Sequence, residues 1–107
     1  MIKVTMSRNE NGDYNGICLE GHAEYAEYGQ DIVCAAVSVL FINTVNSIEQ
    51  FTKDVVQVHD EQEKTGKIGF RFVSSISDDS KLLMNSLVLG LEGIKEEYSE
   101  KYIRIFK

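Results

Sequence analysis

Proline is absent from this chain of 107 residues, so no turn is set by a pyrrolidine ring and each must rest on Gly, Asn or Asp. Basic residues are the minority. Eleven Lys and Arg stand against 17 Asp and Glu, giving a formal net charge of -6, and the bases are scattered among the acids. Phosphate binding depends on clustered Lys and Arg that release counterions, so a nucleic-acid face is set aside. An acidic surface favours encounter with a basic protein instead. No basic-then-apolar segment opens the chain, and its apolar stretches read as too short and too interrupted to span a membrane. A soluble, cytoplasmic protein with no membrane contact is expected. Cysteine is scarce as well: Cys18 and Cys34 are the only two, no C-x-x-C motif is present, and a reducing compartment favours free thiols.

The length suits one domain with one core, residues 1–107. Ile2, Val4 and Met6 alternate with polar residues, and a second alternation begins at Tyr14. Asn11-Gly12 between them predicts a hairpin with a type I′ turn. In the second strand Ile17 and Leu19 point one way, and Cys18, Glu20 and His22 the other. Residues from Ala23 to Gln30 show no periodicity and read as a loop. Asp31 then suits the cap of a helix carrying Val33, Val37, Phe41, Val45 and Ile48 at helical spacing, to about Phe51. Val39 and Ile42 lie on another side of it. Lys53 to His59 and Lys67 to Ser74 suggest a second hairpin, with core candidates Val56, Val58, Ile68, Phe70 and Phe72. Ser77-Asp78-Asp79-Ser80 offers caps for a second helix with the stripe Leu83, Leu87, Leu91, Ile94 and Tyr98. Gly90 and Gly93 within it imply close packing. Tyr102 to Phe106 closes as a strand. The order ββαββαβ predicts an α+β fold, a single antiparallel or mixed sheet with two helices packed on one face.

Chemistry concentrates in Gly21-His22-Ala23-Glu24-Tyr25 and in Gly29 to Ser38. If Asp31 caps the helix, Cys34 falls in the first turn, where unpaired backbone N–H groups and the helix dipole favour a thiolate and can hold an oxyanion. His22, at a strand end just upstream, is placed to act as base or acid for it. Asp31 serves as a cap or orients His22. Ser38, one turn after Cys34, bonds back to the helix or supports the site. Gly21 gives His22 room or ends a strand; Gly29 is a loop hinge or a turn; Tyr25 and Tyr28 line an apolar substrate pocket or are ordinary loop tyrosines. Cys18 reads as structural. Cys18 and His22 stand about 13 Å apart along a strand at roughly 3.3 Å per residue, so they cannot share a tetrahedral zinc. No metal and no cofactor is expected.

Through Gly21-His22-Ala23, Tyr25, Gly29 and Asp31-Ile32-Val33-Cys34-Ala35-Ala36-Val37-Ser38 the chain resembles the ribosomal-processing cysteine protease family Prp of bacteria such as the Firmicutes. The resemblance in length and element order covers the whole chain. It implies a cysteine endopeptidase that removes the N-terminal extension of large-subunit ribosomal protein twenty-seven during ribosome maturation. It further implies a catalytic dyad at His22 and Cys34, and a homodimer. Two other classes stay open: a non-catalytic binding module for a basic ribosomal protein, and a thiol acyl hydrolase such as a thioesterase.

Overall fold

The structure, a computed structural model, describes residues 1–21, 28–98 and 101–107, with the backbone alone for residues 28–31. Strand β1 (Ile2–Arg8) buries Ile2, Val4 and Met6 and exposes Lys3, Thr5 and Ser7, as period-two alternation requires. Strand β2 (Tyr14–Glu20) pairs with it antiparallel, setting Leu19 opposite Val4 and Ile17 opposite Met6 on the same buried face. The connection differs from the expected two-residue turn. The Asn9 carbonyl accepts from the Gly12 N–H at 3.0 Å, its carboxamide accepts from the N–H groups of Asn11 and Asp13, and Gly12 takes φ +81. This is a three-residue loop with its left-handed residue at Gly12. Asn9, outside the Asn-Gly pair, organises it.

Helix α1 (Tyr28–Phe51) is followed by β3 (Val56–Glu61), the short helix α2 (Gln62–Thr65), β4 (Lys67–Phe72), helix α3 (Asp78–Tyr98) and β5 (Ile103–Phe106). The turn region foreseen between β3 and β4 thus contains one helical turn, closed by Gly66 at φ +71. The sheet runs β3-β4-β2-β1-β5, antiparallel except for the parallel β1–β5 pair, so it is mixed. One face carries Ile2, Val4, Met6, Ile17, Leu19, Phe70 and Ile103, and both long helices bury their apolar sides against it. From α1 come Val33, Val37, Phe41 and Ile48, and from α3 come Met84, Leu87, Val88 and Leu91. Each such side chain contributes about 1.5–3 kcal/mol on leaving water. The opposite face, with Lys3, Thr5, Gln57, His59 and Arg71, is open to solvent.

Some expectations shift in detail. Val58 lies on the inner face of an edge strand and stays 45% exposed, so it is not core. Gly90 does meet close packing, since a Cβ there would lie 2.9 Å from Leu40 Cδ1 of α1; Gly93 has nothing within 4 Å. By length and composition alone the Ile32–Phe51 stretch is sufficient to cross a membrane, contrary to the sequence reading. In the fold, this stretch supplies the central core helix.

Candidate active site

Cys34 is half-buried on α1, packed at the margin of the core. Cys34, Ser38, Phe41 and Val45 recur at i, i+4, i+7 and i+11, so they share one side of the helix. The Phe41 ring meets Phe70 of β4 edge-on at a centroid distance of 5.5 Å, which turns that side toward β4 and, beyond it, β3. Ser38 is therefore on the side of the thiol, one turn further on. The helix begins at Tyr28 rather than Asp31, which places Asp31 fourth and Cys34 seventh in it. Extending an existing helix adds one hydrogen bond per residue fixed, and this outweighs the cost of about 1 kcal/mol for Gly29. The unpartnered N–H groups of the first turn accordingly belong to residues 28–31, and the Cys34 N–H lies within the hydrogen-bonded helix. A capping role for Asp31 and an oxyanion site on the Cys34 N–H do not fit this helix start.

The end of the sheet nearest the start of α1 is fixed by backbone and charge. Gly21, at φ +89 just beyond β2, donates its N–H to the Gly66 carbonyl at 3.2 Å and so ties the end of β2 to the turn before β4. On the open face, Lys3, Glu20, Lys67 and Glu61 stand in cross-strand succession with alternating sign. Asp60, Glu61, Gln62, Glu63 and Lys64 line an open cavity of about 690 Å³ beside them. Asp60 Oδ1 accepts from the Gln62 N–H and from its side-chain amide at 3.1 and 3.0 Å. This acidic rim was visible in the sequence only as a polar turn. His22 and Tyr25 lie outside the described residues, as do the side chains of Tyr28 and Asp31.

Cys18 and His59 provide a second thiol and a second imidazole, and the sheet keeps both away from Cys34. Cys18 is opposite Gly69 in β4, and Gly69 is opposite His59 in β3, so all three share the open face. The His59 ring lies over the bare Gly69 α-carbon, where a Cβ would come within 2.6 Å of Nε2. Burial raises the Cys18 thiol pKa; Lys67 pulls it down, while Glu20 and Glu61 push it up, so this thiol is held protonated at neutral pH. Cys18 thus has the character of a structural thiol. Among the described residues, no three His, Cys, Asp or Glu side chains gather in a way that would hold a metal ion.

A mixed sheet with one helical face and a thiol on the side of its first long helix defines an α+β scaffold suited to cysteine-dependent hydrolysis. The chain belongs to the family described as Cysteine protease Prp, whose model matches residues 1–104. The ribosomal processing cysteine protease Prp of Staphylococcus aureus is 32% identical over 100 residues, covering 94% of this chain and 93% of that protein. A crystal structure of the S. aureus protease in complex with a substrate peptide is similar at a TM-score of 0.88 and 33% identity, covering 100% of both chains. A second, with a covalently linked product peptide, gives 0.84 and 32%, covering 99% of this chain and 98% of that one. The chain is a cysteine protease. The binding-module and acyl-hydrolase readings have no such support.

Proposed function

We propose that this protease removes the N-terminal extension from large-subunit ribosomal protein twenty-seven, with Cys34 as nucleophile and His22 as its acid and base. The reading is carried by one observation: Cys34 lies on the side of α1 turned to the sheet, at the end where Gly21 ties off β2. His22 follows Gly21 directly in the chain. In this scheme the Cys34 thiolate attacks the scissile carbonyl carbon and forms a C–S bond. Collapse of the tetrahedral adduct breaks the C–N bond, and His22 gives its proton to the leaving amine. Water then attacks the thioester, His22 takes a proton from it, and Cys34 leaves as thiolate. Asp31 and Ser38 are kept as supporting residues, and Gly21, Tyr25, Tyr28 and Gly29 as parts of the segment that meets substrate.

The chain acts as a single protease domain in the cytoplasm, as a homodimer, without cofactor or nucleic acid. Support for the dimer comes from Val39 and Ile42, which are 66% and 56% exposed on the outer side of α1. Val39 lines an apolar groove of about 580 Å³ between α1 and α3, together with Ala35, Ala36, Gly90 and Ile94. The test of the activity is mass spectrometry of the ribosomal precursor after incubation. Wild-type chain should release the extension, whereas Cys34→Ser and His22→Ala, each with an unchanged circular dichroism spectrum, should leave the precursor whole. Normal processing by Cys34→Ala would eliminate the scheme.

A further inference from the structure

The sheet has two outer edges, and they are protected very differently. At β5 the strand is only four residues long and carries Arg104, with Lys101 before it and Lys107 after it; Lys107 is paired with Glu92 of α3. Short length and basic charge are the usual protections of an edge. At β3 six residues pair with β4 in unbroken register, from Val56 opposite Phe72 to Glu61 opposite Lys67, without bulge, proline or lysine. The Val73 N–H donates to the Val55 carbonyl at 2.9 Å, so residues 55 and 73 form a hydrogen-bonded pair. Alternation then makes 57 with 71, 59 with 69 and 61 with 67 the hydrogen-bonded pairs. The N–H and C=O groups of Val56 and Val58 consequently point outward, along an edge with which no other described strand pairs.

We propose that the peptide substrate is held as a sixth strand on the outer edge of β3, with its basic side chains answered by Glu61 and Glu63. This rests on the peptide-cleaving function proposed above. Three observations select that occupant. The side of α1 bearing Cys34 and Ser38 faces β4, and β3 is the next strand outward, so a strand added there lies beside the thiol's side of the helix. The Glu61 end of β3 is also the end at which Gly21 is tied to Gly66, so the added strand leads toward the candidate site. Among the described residues that line the cavity there, Asp60, Glu61 and Glu63 stand against Lys64, which complements a lysine- or arginine-rich chain and would repel an acidic one. Main-chain pairing supplies affinity in such a complex, and alternate side chains supply selectivity.

The experiment measures binding rather than turnover, so that it does not depend on cleavage. A fluorescein-labelled peptide spanning the extension and its cut site is titrated into the Cys34→Ala chain by fluorescence anisotropy. A series of peptides, each N-methylated at one successive backbone nitrogen, follows. Alternate members should bind about tenfold more weakly and the members between them as the parent does, because only every second N–H of a strand meets its neighbour. Val58→Pro, which removes an outward N–H without taking a bond from the β4 ladder, should weaken the parent peptide by a similar factor. Glu61→Lys with Glu63→Lys should weaken the parent peptide but not one with its lysines replaced by alanine. A flat or non-alternating N-methyl series would overturn the proposal even if wild-type chain cuts the precursor. An alternating series with no cutting would keep the edge and overturn the cleavage scheme instead. Unchanged peptide affinity in Val58→Pro, together with a changed oligomeric state, would assign the edge to a second copy and would also overturn it.

Discussion

Asp54 joins two parts of the chain that look unrelated in sequence. Its carboxylate Oδ2 accepts from the Ser77 N–H at 2.8 Å and the Ser77 hydroxyl at 2.7 Å, just before α3 begins. Ser77 Oγ in turn accepts from the Ser80 N–H at 3.3 Å, the bond of a helix cap. Desolvation raises the Asp54 pKa, yet the hydrogen bonds from the Ser77 hydroxyl and N–H counter it, and the carboxyl ends below its ordinary value. A carboxyl depressed on folding stabilises the fold above its unfolded pKa, and that stabilisation is lost as pH falls through the lower folded value. Asp54→Asn is therefore expected to lower stability at neutral pH by about 1 kcal/mol and to lose part of the wild-type decline in strong acid. Urea unfolding at pH 7 and below pH 4 checks both. The Ser77 cap was legible from Ser-Asp-Asp-Ser. Asp54 was not, because a contact across 23 residues leaves no local pattern.

Among the elements, those with a long period were legible and the short ones were not. Seven alternating or helical stripes gave the five strands and two long helices, and Val33, Val37, Phe41 and Ile48 are all buried as their spacing required. The start of α1 was misplaced because Asp31 looks like a cap and Gly29 like a break; a helix of 24 residues absorbs both. One turn of helix, α2, has no room for a period at all. The close spacing of β2 and β4 depends instead on Gly69, where a Cβ would collide with the Ile17 carbonyl of the adjacent strand and with the His59 ring. Gly69→Ala must push β2 from β4 and should cost roughly 2 kcal/mol or more. Gly93→Ala, with open space around it inside α3, should instead stabilise by up to about 1 kcal/mol. Paired thermal unfolding curves with opposite signs are the check.

At the scale of the molecule, one sheet face is covered by helices, and the helices in turn present Val39, Ile42 and Leu89 to solvent. Val39→Asp with Ile42→Asp should bring the sedimentation mass to that of one chain while leaving the helix content intact. An unchanged mass would remove this face from the proposed homodimer. In the sequence the candidate site was legible only as a Cys and a His near a strand-to-helix passage, and that His lies outside the described residues. Which side of α1 the thiol takes was not, since that follows from the packing of Phe41 on Phe70, a contact between distant parts of the chain. The placement of the two thiols on opposite sides of the sheet also bears on life under oxidants. A disulfide needs Cα atoms within about 7 Å and converging Cβ vectors, and no rotamer change brings Cys18 and Cys34 through a hydrogen-bonded sheet. Peroxide stress therefore cannot lock this enzyme shut by an internal crosslink. Peroxide would instead oxidise a thiolate at Cys34 to a sulfenic acid, which a cellular reductant can reverse directly or after capture by a small thiol.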